Sequence, residues 1–111
     1  MEKAHQCAKD LTMRLHPDDK TAIILTTKEV FGRQAQVWLF GSRVDDSKRG
    51  GDIDLYVEVP GHLDDGFSKE LKLNSVLQSR IGEQKIDIVA RGSEDELKPI
   101  HQAALSTGVK L

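Results

Sequence analysis

Asp52 and Asp54 stand two residues apart in the segment Gly50-Gly51-Asp52-Ile53-Asp54-Leu55. On an extended strand that spacing sends both carboxylates off one face, while Ile53 and Leu55 bury the other and hold the register. Carboxylates that close repel each other unless a proton or a cation intervenes. A hard divalent ion, Mg²⁺ above all, relieves the repulsion because it prefers oxygen ligands and keeps positions open for phosphates. Asp87, between Ile86 and Ile88, has the same surroundings. If its strand neighbours the first in register, three carboxylates converge. Such a cluster can hold two metals about 3.5–4 Å apart, one activating an attacking hydroxyl and one clamping phosphates and leaving group.

A phosphate-binding turn stands upstream. Gly41 follows the apolar run Gln36-Val37-Trp38-Leu39-Phe40 and lets backbone approach a phosphate; Ser42 adds a hydroxyl and an N–H. Arg43 can neutralise phosphate charge, whereas Lys48 and Arg49 read better as solvated loop charges. Taken singly, Asp-Ile-Asp is explained as well by the wet face of a strand, and Asp87 better so. The turn, the paired acids and the later acid in one short chain favour the site.

The elements around these residues follow from local pattern. Pro17-Asp18-Asp19 opens a helix with a proline in its first turn and acids at the positive dipole end, and Gly32 stops it. Ile23, Ile24, Val30 and Phe31 form its apolar face. The run from Gln36 to Phe40 is a buried strand. Residues 52–59 alternate strictly, with Ile53, Leu55, Val57 and Val59 on one side and Asp52, Asp54, Tyr56 and Glu58 on the other. A second helix begins near Asp64-Asp65-Gly66, carries Phe67, Leu71, Leu77 and Ile81 on one face and closes at Gly82. Residues 85–90 alternate again. Ser93 with Glu96 has the form of a capping box, but Pro99 would then break the helix. A helix from Pro99 to Thr107, stopped by Gly108, removes the conflict. The order helix, strand, strand, helix, strand, helix makes an α+β, two-layer fold, a small mixed sheet with helices packed on one face. Residues 1–15 form a weakly patterned arm, and residues 16–111 one domain.

Composition sets the outer limits. The 111 residues suffice for one modest core, and 38% hydrophobic residues with 31% charged are ordinary for a globular chain. A net charge of −2 argues against a broad nucleic-acid-binding surface. The single cysteine, Cys7, excludes an internal disulfide and a cysteine metal site, and no apolar run reaches membrane-spanning length, so a cytoplasmic home is expected. His5, His16, His62 and His101 lack zinc-ligand spacing. Trp38 and Phe40 flank the turn as strand core or, less readily, as a base-stacking surface. Tyr56, on the acidic face, either touches nucleotide or packs.

At these residues the sequence resembles the minimal nucleotidyltransferases (MNT) of the DNA polymerase β superfamily. The match runs through Val-Trp-Leu-Phe-Gly-Ser-Arg, Gly-Gly-Asp-Ile-Asp-Leu-Tyr-Val and Lys-Ile-Asp-Ile-Val, beginning at Val37, Gly50 and Lys85. The loop between Ser42 and Asp52 is one residue shorter than the family pattern, and Gly51 stands where a serine often precedes the first aspartate. The resemblance implies that Asp52 and Asp54 hold two Mg²⁺ ions, that Asp87 helps bind the catalytic one and assists deprotonation of the acceptor, and that Gly41 and Ser42, with Arg43 beside them, hold the phosphates of ATP. Members of this size resemble the antitoxin half of toxin–antitoxin pairs, whose partner is a helical HEPN-type ribonuclease toxin. The implied reaction is AMP transfer to a protein hydroxyl, commonly a tyrosine of that toxin. The alternatives are an antitoxin that only occludes its toxin, motivated by Gly51 and the short loop, and a small-molecule nucleotidyltransferase of the aminoglycoside type.

Overall fold

Alternation through residues 53–59 builds the strand on which everything else is hung. A computed structural model describes residues 15–40, 53–82 and 84–111. In it, strands β1 (Gln36–Phe40), β2 (Ile53–Val59), β3 (Ile86–Gly92) and β4 (Val109–Lys110) form one sheet in the order β3-β2-β1-β4. β1 runs antiparallel to both β2 and β4, and β2 runs parallel to β3. Helices α1 (Pro17–Phe31), α2 (Gly66–Ile81) and α3 (Pro99–Thr107) complete the described residues.

Ile53, Leu55, Val57 and Val59 all turn into the core, where they meet Val37 and Leu39 of β1, Ile23 and Phe31 of α1, and Leu73 and Leu77 of α2. α1 starts at Pro17 as expected, although its cap is His16, whose Nδ1 accepts from the Asp18 N–H at 3.0 Å. It ends at Gly32, whose φ of 113° is open to glycine and strained for other residues. Arg80 of α2 ties the two long helices, donating to Thr26 Oγ1 at 2.8 Å and pairing with Glu29 at 3.1 Å.

The apolar face of α2 differs from expectation. Leu77 is buried and Ile81 packs on the core, but the stripe continues back through Leu73, while Phe67 and Leu71 are 74% and 56% exposed. The cause is the 100° step of the helix. Leu71, two residues before Leu73, lies about 200° away from it, on the opposite side.

The expected α+β fold with a small mixed sheet is the one found, but the helices do not all pack on one face as expected, and the short third helix is the exception. α3 runs from Pro99 to Thr107 and stops at Gly108, as the sequence implies, but His101 rests against Tyr56 at 5.7 Å between ring centroids. α3 therefore lies across the face opposite the two long helices. Gly108 is required where α3 hands over to β4, since a Cβ there would meet the Ala104 carbonyl at 2.3 Å. The two-residue β4 escaped the sequence reading because a strand that short has no alternation to detect. Of the arm at residues 1–15, only Leu15 is among the described residues, and it packs on the core.

The outer edge of β3 is occupied from α2. Asn74 Nδ2 donates to the Ile86 carbonyl at 2.7 Å, and Glu70 Oε2 accepts from the Ala90 N–H at 2.9 Å. Burial pushes the Glu70 carboxyl above its usual range, with the Ala90 hydrogen bond opposing the shift.

Candidate active site

On the face away from α1 and α2, the register sets side chains in rows. Phe40, Asp54 and Asp87 form the first row across β1, β2 and β3. Trp38, Tyr56 and Val89 form the second, extended by Lys110 of β4, and Gln36, Glu58 and Arg91 form the third. Asp54 and Asp87 are paired across adjacent parallel strands, which run about 4.8 Å apart. Asp87 is exposed and Asp54 half-buried. The expectation that a later strand would bring Asp87 beside the first acidic strand is met in its strongest form, a direct Cα pairing.

Asp52, Gly41, Ser42 and Arg43 lie outside the described residues. Among the described residues no group of three or more histidine, cysteine or acidic side chains could hold a metal ion. Asp54 and Asp87 supply two of the three expected carboxylates. Their chemistry fits Mg²⁺: hard oxygen donors of like charge, set opposite each other on a face open to solvent.

Two rows along, the same strands solve the same problem differently. Glu58 faces Arg91, whose Nη1 lies 3.1 Å from Glu58 Oε1 and 3.2 Å from the Tyr56 hydroxyl. That hydroxyl donates to Glu58 Oε1 at 2.7 Å. The remaining guanidinium donors reach the carbonyls of Ser93, Asp95 and Glu96, so one side chain ties β3 to the turn that follows it. Tyr56 is fully buried, so of its two expected roles it takes the packed one. Burial first, then the hydrogen bond with Glu58, push its phenol up to about 12. Trp38 packs against it with ring centroids 5.3 Å apart and planes tilted by 50°, and the Lys110 ammonium lies 5.7 Å from the indole centroid. The triad of Tyr56, Glu58 and Arg91 went unseen in the sequence. The signal was there, since Arg91 has the parity of Asp87 and lies four residues on, as Glu58 does from Asp54.

The turns beyond β2 and β3 are clasped. Asp95 accepts from the backbone N–H groups of Leu63 (3.0 Å) and Gly92 (2.9 Å) and contacts His62 Nδ1 at 2.8 Å. The bond to Asp95 raises the His62 pKa, and its reciprocal with His62 lowers that of Asp95. Ser93, instead of capping a helix, accepts from the Gly61 N–H through its hydroxyl at 3.1 Å. His101 Nδ1 accepts from the Lys98 N–H at 3.0 Å and so caps α3; burial, then the charges of Arg91 and Lys98, lower its pKa and favour the neutral form this needs.

A cavity of about 650 Å³ lies at the other end of the sheet, against Ala35, Val59 and Pro60. Val59 is five residues from Asp54, about 16 Å along the strand, so this cavity does not belong to the paired acids.

Comparison with known proteins now bears on the arrangement. No curated protein matches the chain. A chain from a structure of the toxin–antitoxin MntA–HpeT in mutant form superposes with a TM-score of 0.60 at 22% identity, covering 83% of this chain and 69% of that one. A chain from the tri-AMPylated Shewanella oneidensis HEPN toxin in complex with MNT antitoxin gives 0.60 at 21% identity, covering 83% and 67%. Another Shewanella oneidensis structure gives 0.51 at 19%, covering 81% and 69%. At these identities the likeness is one of fold. The family model described as a nucleotidyltransferase domain matches residues 21–109, which takes in both paired acids and all four strands but the last residue of β4. The chain belongs to the nucleotidyltransferase domain family.

Proposed function

We propose that this chain is an Mg²⁺-dependent protein adenylyltransferase that moves AMP from ATP to a hydroxyl, that of a tyrosine on a cognate HEPN-type toxin, and so acts as its antitoxin in the cytoplasm. The observation that carries this reading is the direct pairing of Asp54 with Asp87 in a chain of the nucleotidyltransferase domain family. The solved complex of an AMPylated HEPN toxin with MNT antitoxin, which shares the fold, supports the choice of acceptor. Among the described residues no helix is long and apolar enough to cross a membrane.

In the proposed reaction the acceptor oxygen bonds to the α-phosphorus, the bond from that phosphorus to the bridging oxygen breaks, and pyrophosphate leaves. Asp87, exposed at the rim of the acidic row, takes the acceptor's proton. Asp52 and Asp54, with Asp87, would hold the Mg²⁺ ions, and Gly41, Ser42 and Arg43 would hold the phosphates. Mg²⁺ supplies charge neutralisation of the phosphates and lowers the pKa of the attacking hydroxyl.

The test is incubation of the chain with ATP, Mg²⁺ and a candidate HEPN-type partner protein. A gain of one or more AMP masses on the partner is expected. A folded, metal-binding chain that adds no mass to its partner sinks the proposal. The Asp54→Asn chain separates transfer from occlusion: it should still form the complex yet leave the toxin active.

A further inference from the structure

Four of the five exposed large hydrophobic side chains among the described residues stand on two segments that border one groove. Phe67 and Leu71 lie on the solvent side of α2, one turn apart, at 74% and 56% exposure. Leu97 and Ile100 flank the start of α3 at 39% and 46%. Between the two segments runs a groove of about 450 Å³, lined by Phe67, Glu70, Ala90 and Lys98 among others, with Leu71, Leu97 and Ile100 on the bordering elements just outside the lining. Apolar side chains gathered on two elements around a concave surface mark an interaction site, whereas singly scattered ones do not.

Charge selects the occupant. Arg91 forms part of the groove wall, but its guanidinium is engaged by Tyr56, Glu58 and three carbonyls. At the Leu63 end the carboxylates of Asp64, Glu94 and Asp95 all act on His62. Glu70 and Glu96 line the groove itself, with Lys98 as the opposing charge. Three carboxylates (Glu70, Asp95, Glu96) against two cations (Arg91, Lys98) give the lining a net acidic charge beside the exposed Phe67, complementary to an amphipathic segment with basic flanks. Position selects its role. Arg91 in the groove wall shares the face of Asp87 on β3 and lies four residues beyond it, about 13 Å along the strand.

We propose that this groove is the docking surface for the protein acceptor, taking an amphipathic, basic-flanked segment whose neighbouring hydroxyl then reaches Asp87. The inference rests on the protein-acceptor reading above. A partner seated there covers Phe67 and Leu71 and needs no contact with the phosphate turn.

The experiment uses the full chain and the candidate HEPN-type partner of the test above. Complex formation is measured by calorimetry without nucleotide, and AMP transfer by steady-state kinetics. In Phe67→Glu/Leu71→Glu, the Kd for the partner and its KM should both rise about tenfold or more, roughly 1.4 kcal/mol per decade, with kcat within about twofold and the KM for ATP unchanged. Glutamate is a good helix former, so these exposed positions should tolerate it. Ile100→Glu on α3 is an independent variant and should act in the same direction. Leu25→Glu, at an equally exposed apolar residue of α1 (55%), should behave as wild type. Wild-type affinity in both groove variants overturns the proposal. So does conversion of the chain alone from dimer to monomer by the double variant in ultracentrifugation, which would assign the groove to a second copy. If the wild-type chain binds its partner but transfers no AMP, the enzymatic reading fails; loss of that binding in the double variant would still support the groove.

Discussion

The β2–β3 pair carries two acidic positions four residues apart, and the two fates differ. At one, Asp54 faces Asp87; at the other, Glu58 faces Arg91 with the Tyr56 hydroxyl between them. Both lie on the same face of the same strands. Where the sheet needs rigidity, the register sets an acid against a base and burial completes the bond. In the first row the register sets acid against acid, and on the proposed function that pair helps to hold a divalent cation. A buried, satisfied network stiffens what surrounds it, so the third row serves as the anchor from which the first row is aimed.

The largest effect should come from breaking the acidic row. Asp54→Asn should lower kcat/KM for AMP transfer about a thousandfold, roughly 4 kcal/mol, while the fold is kept. Wild-type chain should gain thermal stability on addition of Mg²⁺, as a ligand that binds only the native state requires, and the variant should lose most of that gain. A variant as active as wild type, or equally stabilised by Mg²⁺, would remove the functional half of the comparison.

Breaking the anchor should act on stability. Arg91→Met strands a Glu58 side chain that is only 26% exposed, and removing one partner of such a pair costs about 3 kcal/mol. For a domain of this size that corresponds to a fall of roughly 10–20 °C in Tm. Differential scanning calorimetry reads it directly. A smaller loss sharpens the picture: Tyr56→Phe leaves the ion pair but removes the hydroxyl that bridges it, for about 1 kcal/mol by chemical denaturation.

The smallest effect concerns the clasp between the two turns. His62 has its pKa raised above 6.5 by Asp95, so its contribution is present below 6.5 and lost as pH rises through the raised value. Asp95 has its pKa lowered below 3.8, so its contribution is present above 3.8 and lost as pH falls through the lowered value. The clasp is therefore fully formed between those two limits. NMR titration of the His62 ring should give a midpoint above 6.5 in the wild-type chain and one near the ordinary value in Asp95→Asn.

Much of this could be read from residue patterns because local rules and global fold agree. Pro17 and Gly32, Gly82, and Pro99 with Gly108 bound their helices through backbone chemistry alone. The alternation of residues 53–59 assigned every side chain of β2 to its correct face. The acidic row was legible in Asp54 and Asp87, although only the register shows that they are partners. What was missed depends on tertiary context. Phe67 and Leu71 look like core in a list of apolar residues, but the helix turns them outward, and the functional reading of that groove begins with the error. Tyr56 sits on a face that is wet at Asp54 and dry two residues later, because α3 crosses it there. Gly41, Ser42, Arg43 and Asp52 stand on the sequence alone.

The edge of β3 has a consequence for how any protein can be met. An exposed strand edge is a template on which foreign chains zip by main-chain bonding. Here Asn74 and Glu70 already hold the Ile86 carbonyl and the Ala90 N–H, so an incoming strand finds both ends of that outer row taken. Recognition along this side must then proceed through side-chain shape and charge, which vary between partners, instead of through backbone, which does not. On the proposed function, the enzyme is thereby kept from adding its protein acceptors to its own sheet.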